Sequence, residues 1–150
     1  MPKGKAFVIV GHWNWGKSRT LRQLSDGRRP GWIEIAGTRV FVKRMSNDDI
    51  PKSLADFLKK IDPEIKVIIV IALCPNFHEP YAKTEAILKL LVAKYTPYFF
   101  VLKKCYSRSE EVTEAEIRAL RAIGTVEVFQ RRAEDTVRAK ALKHLIKSHL

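Results

Sequence analysis

Gly11-His12-Trp13-Asn14-Trp15-Gly16-Lys17-Ser18 fits the pattern G-x-x-x-x-G-K-[ST] with no position missing. Its flanks decide what it means. Upstream, Lys5-Ala6-Phe7-Val8-Ile9-Val10 is a β-rich apolar run that stops at Gly11, and downstream Arg19 to Ser25 continues as a helix. Strand, glycine loop and helix stand in the order that lets backbone N–H groups curl around an anion while the helix N-terminus adds partial positive charge. The spacing predicts a phosphate-binding loop. Lys17 is then the catalytic cation at the terminal phosphates of a nucleoside triphosphate, and the Ser18 hydroxyl is a ligand of Mg²⁺. A glycine turn without ligand is the alternative, and it accounts for neither the Lys nor the Ser.

Outward from the loop, Ser25 to Gly31 is dense in turn formers and ends the first helix. Trp32–Ala36 and Arg39–Arg44 read as two strands with Gly37-Thr38 at the turn, and so short a connection makes an antiparallel hairpin. Ser46 to Asp49 offers caps for a helix that begins near Pro51 and carries Leu54, Phe57, Leu58 and Ile61 on one face. Lys66 to Cys74 is a continuous β-branched run, the pattern of a central strand buried on both faces. A helix over Thr84–Tyr95 with Ile87, Leu88, Leu91 and Val92 inward, and a strand Tyr98–Leu102, follow. Thr113 and Glu116 have capping-box spacing and open a helix with Ile117, Leu120 and Ile123 inward, closed by Gly124. Thr125–Phe129 is the last strand. The final helix, from about Asp135, sets Val137, Leu142, Leu145 and Ile146 on one side and Arg138, Lys140, Lys143 and Lys147 elsewhere.

At 150 residues and 46% hydrophobic content the chain is expected to form a single domain over residues 1–150. Its longest apolar stretch, Val67 to Cys74, is too short to cross a bilayer, and the first residues lead directly into a strand, so a cytoplasmic location is expected. Cys74 and Cys105 have no metal-ligand spacing and fit a reducing compartment. The formal charge of +12 is unevenly placed, and from Arg19 to Arg44 seven basic residues stand against Asp26 and Glu34. Part of it suits nucleotide phosphates; the remainder is either a solvated surface or a face for an acidic protein or nucleic acid.

Together these elements predict an α/β fold of three layers, α/β/α, with a six-stranded mostly parallel sheet, one antiparallel hairpin strand, and a ligand at the carboxyl ends of the parallel strands. With its hairpin directly after the first helix, this order resembles the Ras-like small GTPases over nearly the whole chain. Gly11 to Ser18 matches that family's first motif completely, and Asn14 falls where the Era, MnmE and FeoB branch has its loop asparagine. The resemblance implies a monovalent cation held through Asn14 and an indirect Mg²⁺ contact from Asp48, with Asp49 a helix cap. It implies nucleotide contacts from Gly11, His12, Trp13, Asn14, Trp15, Gly16, Lys17, Ser18 and Arg19, and a base packed on the stem of Lys104.

The departures are as specific. No glycine follows Asp48 at the switch spacing. Tyr106 stands where the family has its base-reading Asp, so guanine preference is not implied, and the final Ser-Ala-Lys motif has no match near Phe129 to Arg132. His12 and His78 are candidates to position water, Arg28 and Arg29 to stabilise charge, and Trp13 and Trp15 either to cover the nucleotide, dock a partner or pack. The family's strand order also makes the fourth and fifth strands neighbours, which would bring Cys74 and Cys105 close together. The expected function is a slow or degenerate Mg²⁺-dependent NTPase binding GTP or ATP. The alternatives are a small kinase sharing the loop, or a basic binding module with a vestigial nucleotide site.

Overall fold

Two runs of the sequence are apolar at every second residue in both phases, and both are buried on two faces. In the computed structural model, which describes residues 3–12, 15–25, 31–44, 47, 51–77, 83–104, 111–130 and 133–150, they are β1 (Gly4–Val10) and β4 (Ile68–Leu73). Every residue of β4 and every residue of β1 except Lys5 is buried, so the sheet is covered on both sides.

The remaining elements are α1 (Lys17–Leu24), β2 (Trp32–Ile35), β3 (Thr38–Val42), α2 (Pro51–Lys60), α3 (Thr84–Lys94), β5 (Tyr95–Leu102), α4 (Glu114–Arg121), β6 (Thr125–Phe129) and α5 (Asp135–Ser148). Their order along the chain is the expected one. The six strands form one sheet in the order β2-β3-β4-β1-β5-β6. All pairs are parallel except the β2–β3 hairpin. Helix α1 packs with α5 and α2 with α3, while α4 packs against β6. No helix among the described residues is long and apolar enough to cross a membrane.

One expected adjacency is overturned: β4 and β5 are not neighbours, because β1 lies between them, paired Phe7 to Val70 on one side and Phe7 to Tyr98 on the other. Element order along the chain limits crossover lengths but does not fix lateral order. The ends of β4 and β5 are therefore two strand spacings apart, about 9.6 Å. That removes the premise for a Cys74–Cys105 link, and Cys105 itself lies outside the described residues.

Three local expectations shift. The hairpin turn is Ala36-Gly37 rather than Gly37-Thr38, with φ of 50° and 80°, since the twist of a two-residue hairpin requires positive φ at both central positions. Ile123 lies past the end of α4 and is exposed rather than inward-facing. On α5, Val137 is exposed while Arg138 is buried, the reverse of the polarity-based assignment. Positions 138, 142, 145 and 146 share one helical face, and the register of the three apolar ones carries the arginine inside with them.

Candidate functional site

The loop after β1 is anchored on β4 and closes onto α1. Gly11 N–H donates to the Leu73 carbonyl at 3.1 Å, and Trp15 N–H donates to the His12 carbonyl at 3.3 Å. Gly16, the N-cap of α1, has φ +83°, a conformation that side chains resist, and its carbonyl accepts from both the backbone N–H and the Oγ1 of Thr20 at 2.9 Å. A Cβ on Gly11 would come within 3.3 Å of the Trp15 ring. Lys17 is buried, and its Nζ donates to the carbonyls of Gly11 at 2.6 Å and His12 at 2.9 Å. Ser18 and Arg19 are exposed at the start of the helix.

Trp15 is buried within the core, so of its three expected roles it performs packing. Its ring stands edge-on to the His12 ring at 5.2 Å between centroids, and its Nε1 has no hydrogen-bond partner among the described residues.

Two buried polar side chains bind the segments around the loop. Arg138 of α5 donates from Nη1 to the Trp15 carbonyl at 2.5 Å and from Nη2 to the Lys104 carbonyl at 3.2 Å. One guanidinium thus links the loop after β1 to the segment after β5. On the other side, Asn47 clasps the end of β4: its Oδ1 accepts from Cys74 N–H at 2.6 Å, and its Nδ2 donates to the Cys74 carbonyl at 3.2 Å and to Thr84 Oγ1 at 3.1 Å. Thr84, the first residue of α3, donates in turn to the Cys74 carbonyl at 2.9 Å.

His12 connects the loop to β4 and α4. Its Nδ1 lies 3.8 Å from Cys74 Sγ and its Nε2 lies 3.2 Å from Glu116 Oε1. The contact with Cys74 and then the Glu116 carboxylate push its pKa up to about 9 from 6.5, against a downward pull from burial. Burial alone would raise the Glu116 carboxyl, but the hydrogen bonds from His12 and Thr113 outweigh it and hold it below its ordinary value. Both directions describe an imidazolium–carboxylate pair.

Of the expected site residues, the structure gathers Gly11, His12, Trp15, Gly16, Lys17, Ser18 and Arg19 in one loop and helix start, and Lys104 joins them through Arg138. Trp13, Asn14, Arg28, Arg29, Asp48, Asp49, His78 and Tyr106 lie outside the described residues. Among the described residues, no group of three His, Cys, Asp or Glu side chains could hold a metal ion. Arg138, Asn47 and Glu116 were not expected here. For Arg138 the signal was its spacing from Leu142 and Leu145; Glu116 was legible as a cap, and nothing in that pattern pointed to His12.

No protein-family model and no curated protein sequence matches this chain. What the site does is therefore argued from its own residues.

Proposed function

We propose that this protein binds a nucleoside triphosphate through Gly11–Ser18 and turns it over slowly or not at all. The observation that carries the reading is Lys17: a buried ammonium at the first position of α1, held on two carbonyls of the same loop beside a left-handed Gly16. Burying a cation is costly without compensating partners. Two loop carbonyls keep this one beside the place where phosphates would lie, and exchanging them for phosphate oxygens gives a stronger, charge-assisted contact.

The residues fit Mg²⁺ in part. The exposed Ser18 hydroxyl would hold it, with Asp48 as the second candidate, and the ion would supply neutralisation of phosphate charge. A monovalent cation at Asn14 and a base on the Lys104 stem belong to the same proposal. The chain order of elements supports the Ras-like comparison, whereas β1 between β4 and β5 departs from it. The reading is accordingly a phosphate-loop nucleotide-binding domain with no base preference assigned.

Calorimetric titration with ATP and GTP, with and without Mg²⁺, tests it. Lys17→Ala is expected to weaken triphosphate binding at least about tenfold, a charge-assisted contact being worth about 1.5–3 kcal/mol. Ser18→Ala should chiefly remove the Mg²⁺ dependence. No binding of either nucleotide, or an affinity untouched by Lys17→Ala in a folded protein, would overturn the assignment.

A further inference from the structure

His12 joins two groups that phosphate binding does not use. Cys74, His12 and Glu116 come from the end of β4, the loop after β1 and the first turn of α4, and they lie in series, Sγ to Nδ1 at 3.8 Å and Nε2 to Oε1 at 3.2 Å. Both outer members are fixed. The backbone of Cys74 is clasped at its N–H and its carbonyl by Asn47, and its carbonyl also accepts from Thr84. Glu116 Oε1 accepts the Thr113 N–H at 2.8 Å as the returning arm of the capping box. The imidazole is thus set between a nucleophile and a carboxylate that do not have to be brought together. A thiol, an imidazole and an orienting acid in hydrogen-bond series form the arrangement that activates a cysteine. The Trp15 ring stands edge-on to His12, and its buried Nε1–H is a donor with no partner among the described residues.

We propose that Cys74 is a peroxide-reactive thiol, with His12 as its proton carrier and Glu116 as the residue that positions and charges His12. From the neutral ring, the thiol proton passes from Sγ to Nδ1, and the Glu116 carboxylate on Nε2 favours the doubly protonated ring that results, so the imidazolium–carboxylate pair is the product of this transfer. The thiolate attacks one oxygen of a hydroperoxide, an S–O bond forms and the O–O bond breaks. Sulfur is oxidised by two electrons to the sulfenic acid and the peroxide is reduced; the departing hydroxide or alkoxide takes the proton back from His12 and leaves as water or alcohol. Cys74 is 4% exposed and the His12 side chain 24% exposed, so the oxidant of the proposal is hydrogen peroxide, the smallest hydroperoxide. Among the described residues, Lys17 at the His12 carbonyl and Arg138 at the Trp15 carbonyl are charged groups near the series.

This proposal does not depend on nucleotide binding, and its test needs no nucleotide. The full chain carrying Cys105→Ser, so that Cys74 is the reporting thiol, is treated with hydrogen peroxide, and the sulfenic acid is trapped with dimedone and followed by intact mass. Cys74 is expected to react at least about tenfold faster than free cysteine at pH 7. His12→Asn should bring the rate down to that of free cysteine or below. Glu116→Gln, which keeps the capping box because Gln serves at the third position, should slow the reaction several-fold and move the pH–rate curve to higher pH in a protein that stays folded at the assay temperature, as its thermal midpoint will show. If His12→Asn does not fold, Glu116→Gln carries the decision. A rate no faster than free cysteine, a rate indifferent to both substitutions, or a denaturant dependence matching global unfolding would each overturn the proposal.

Discussion

Two regions of this strongly basic chain hold their cations in opposite ways. At the carboxyl end of the sheet, Lys17 and Arg138 are buried and place their N–H groups on the carbonyls of Gly11, His12, Trp15 and Lys104. At the β2–β3 edge, Arg39 lies 4.3 Å over the Trp32 ring, Lys66 4.8 Å over Phe41 and Lys43 5.3 Å over Phe57, on a surface where Trp32 is 41% exposed. The difference shows what burial demands of a charge. In water a ring face is enough company for a cation; inside, donors need fixed acceptors or the desolvation cost goes unopposed. Geometry is therefore committed at the loop and permissive at the edge, which is the asymmetry expected of a site and a surface.

The comparison is tested hardest at Arg138. Arg138→Met keeps the bulk of the side chain but leaves the Trp15 and Lys104 carbonyls without this donor, and should cost about 2–3 kcal/mol in urea unfolding. A loss below about 1 kcal/mol, the range of surface pairs, would mean that the guanidinium is no more committed than Arg39. Nucleotide affinity measured on the same variant would tell whether the link from loop to Lys104 also orders the site.

Asn47→Ala comes next, at about 2 kcal/mol, because the Cys74 N–H would be left buried without its acceptor. Asn47→Asp sharpens the point. It preserves that acceptor but replaces the donor to the Cys74 carbonyl and Thr84 with an oxygen, so a stability equal to wild type would show that the donor side of the clasp contributes nothing.

A smaller effect is carried by pH. The folded pKa of His12 is about 9 and the ordinary value 6.5, so its contribution is fully present below pH 6.5 and is lost as pH rises through about 9. Screening at a partly exposed ring reduces it to about 1–2 kcal/mol. Unfolding free energies across this window, wild type against His12→Asn, should converge at the alkaline end. Parallel curves would show that the pair with Glu116 does not hold the loop.

These tests fall where sequence reading succeeded and where it stopped. The apolar runs of β1 and β4, the hairpin, and the Thr113–Glu116 capping box are local patterns, and local patterns survive folding because each is set by neighbours a few residues away. Lateral strand order is not local: placing β1 between β4 and β5 depends on which crossovers pack together. Arg138 was misread for a related reason, since polarity assigned it to the surface while the spacing of Leu142 and Leu145 placed it inside. The approach of His12 to Cys74 required the strand order first, because Cys74 reaches the loop only when β4 adjoins β1.

The smallest expected effect belongs to the edge. Trp32 pairs with Phe41 across the hairpin, their rings edge-on at 5.3 Å, and Arg39 covers the outer face of the indole. A cation on an exposed ring contributes about 0.5–1 kcal/mol. A double-mutant cycle of Arg39→Ala and Trp32→Ala should therefore give a coupling energy at or below about 1 kcal/mol, with little loss from Arg39→Ala alone. This small number separates the regions as sharply as the large one at Arg138. If the coupling instead reached about 2 kcal/mol, the value for a desolvated cation on a ring, the edge would be shielded from water in solution. It would then be a second place where this protein commits its charge.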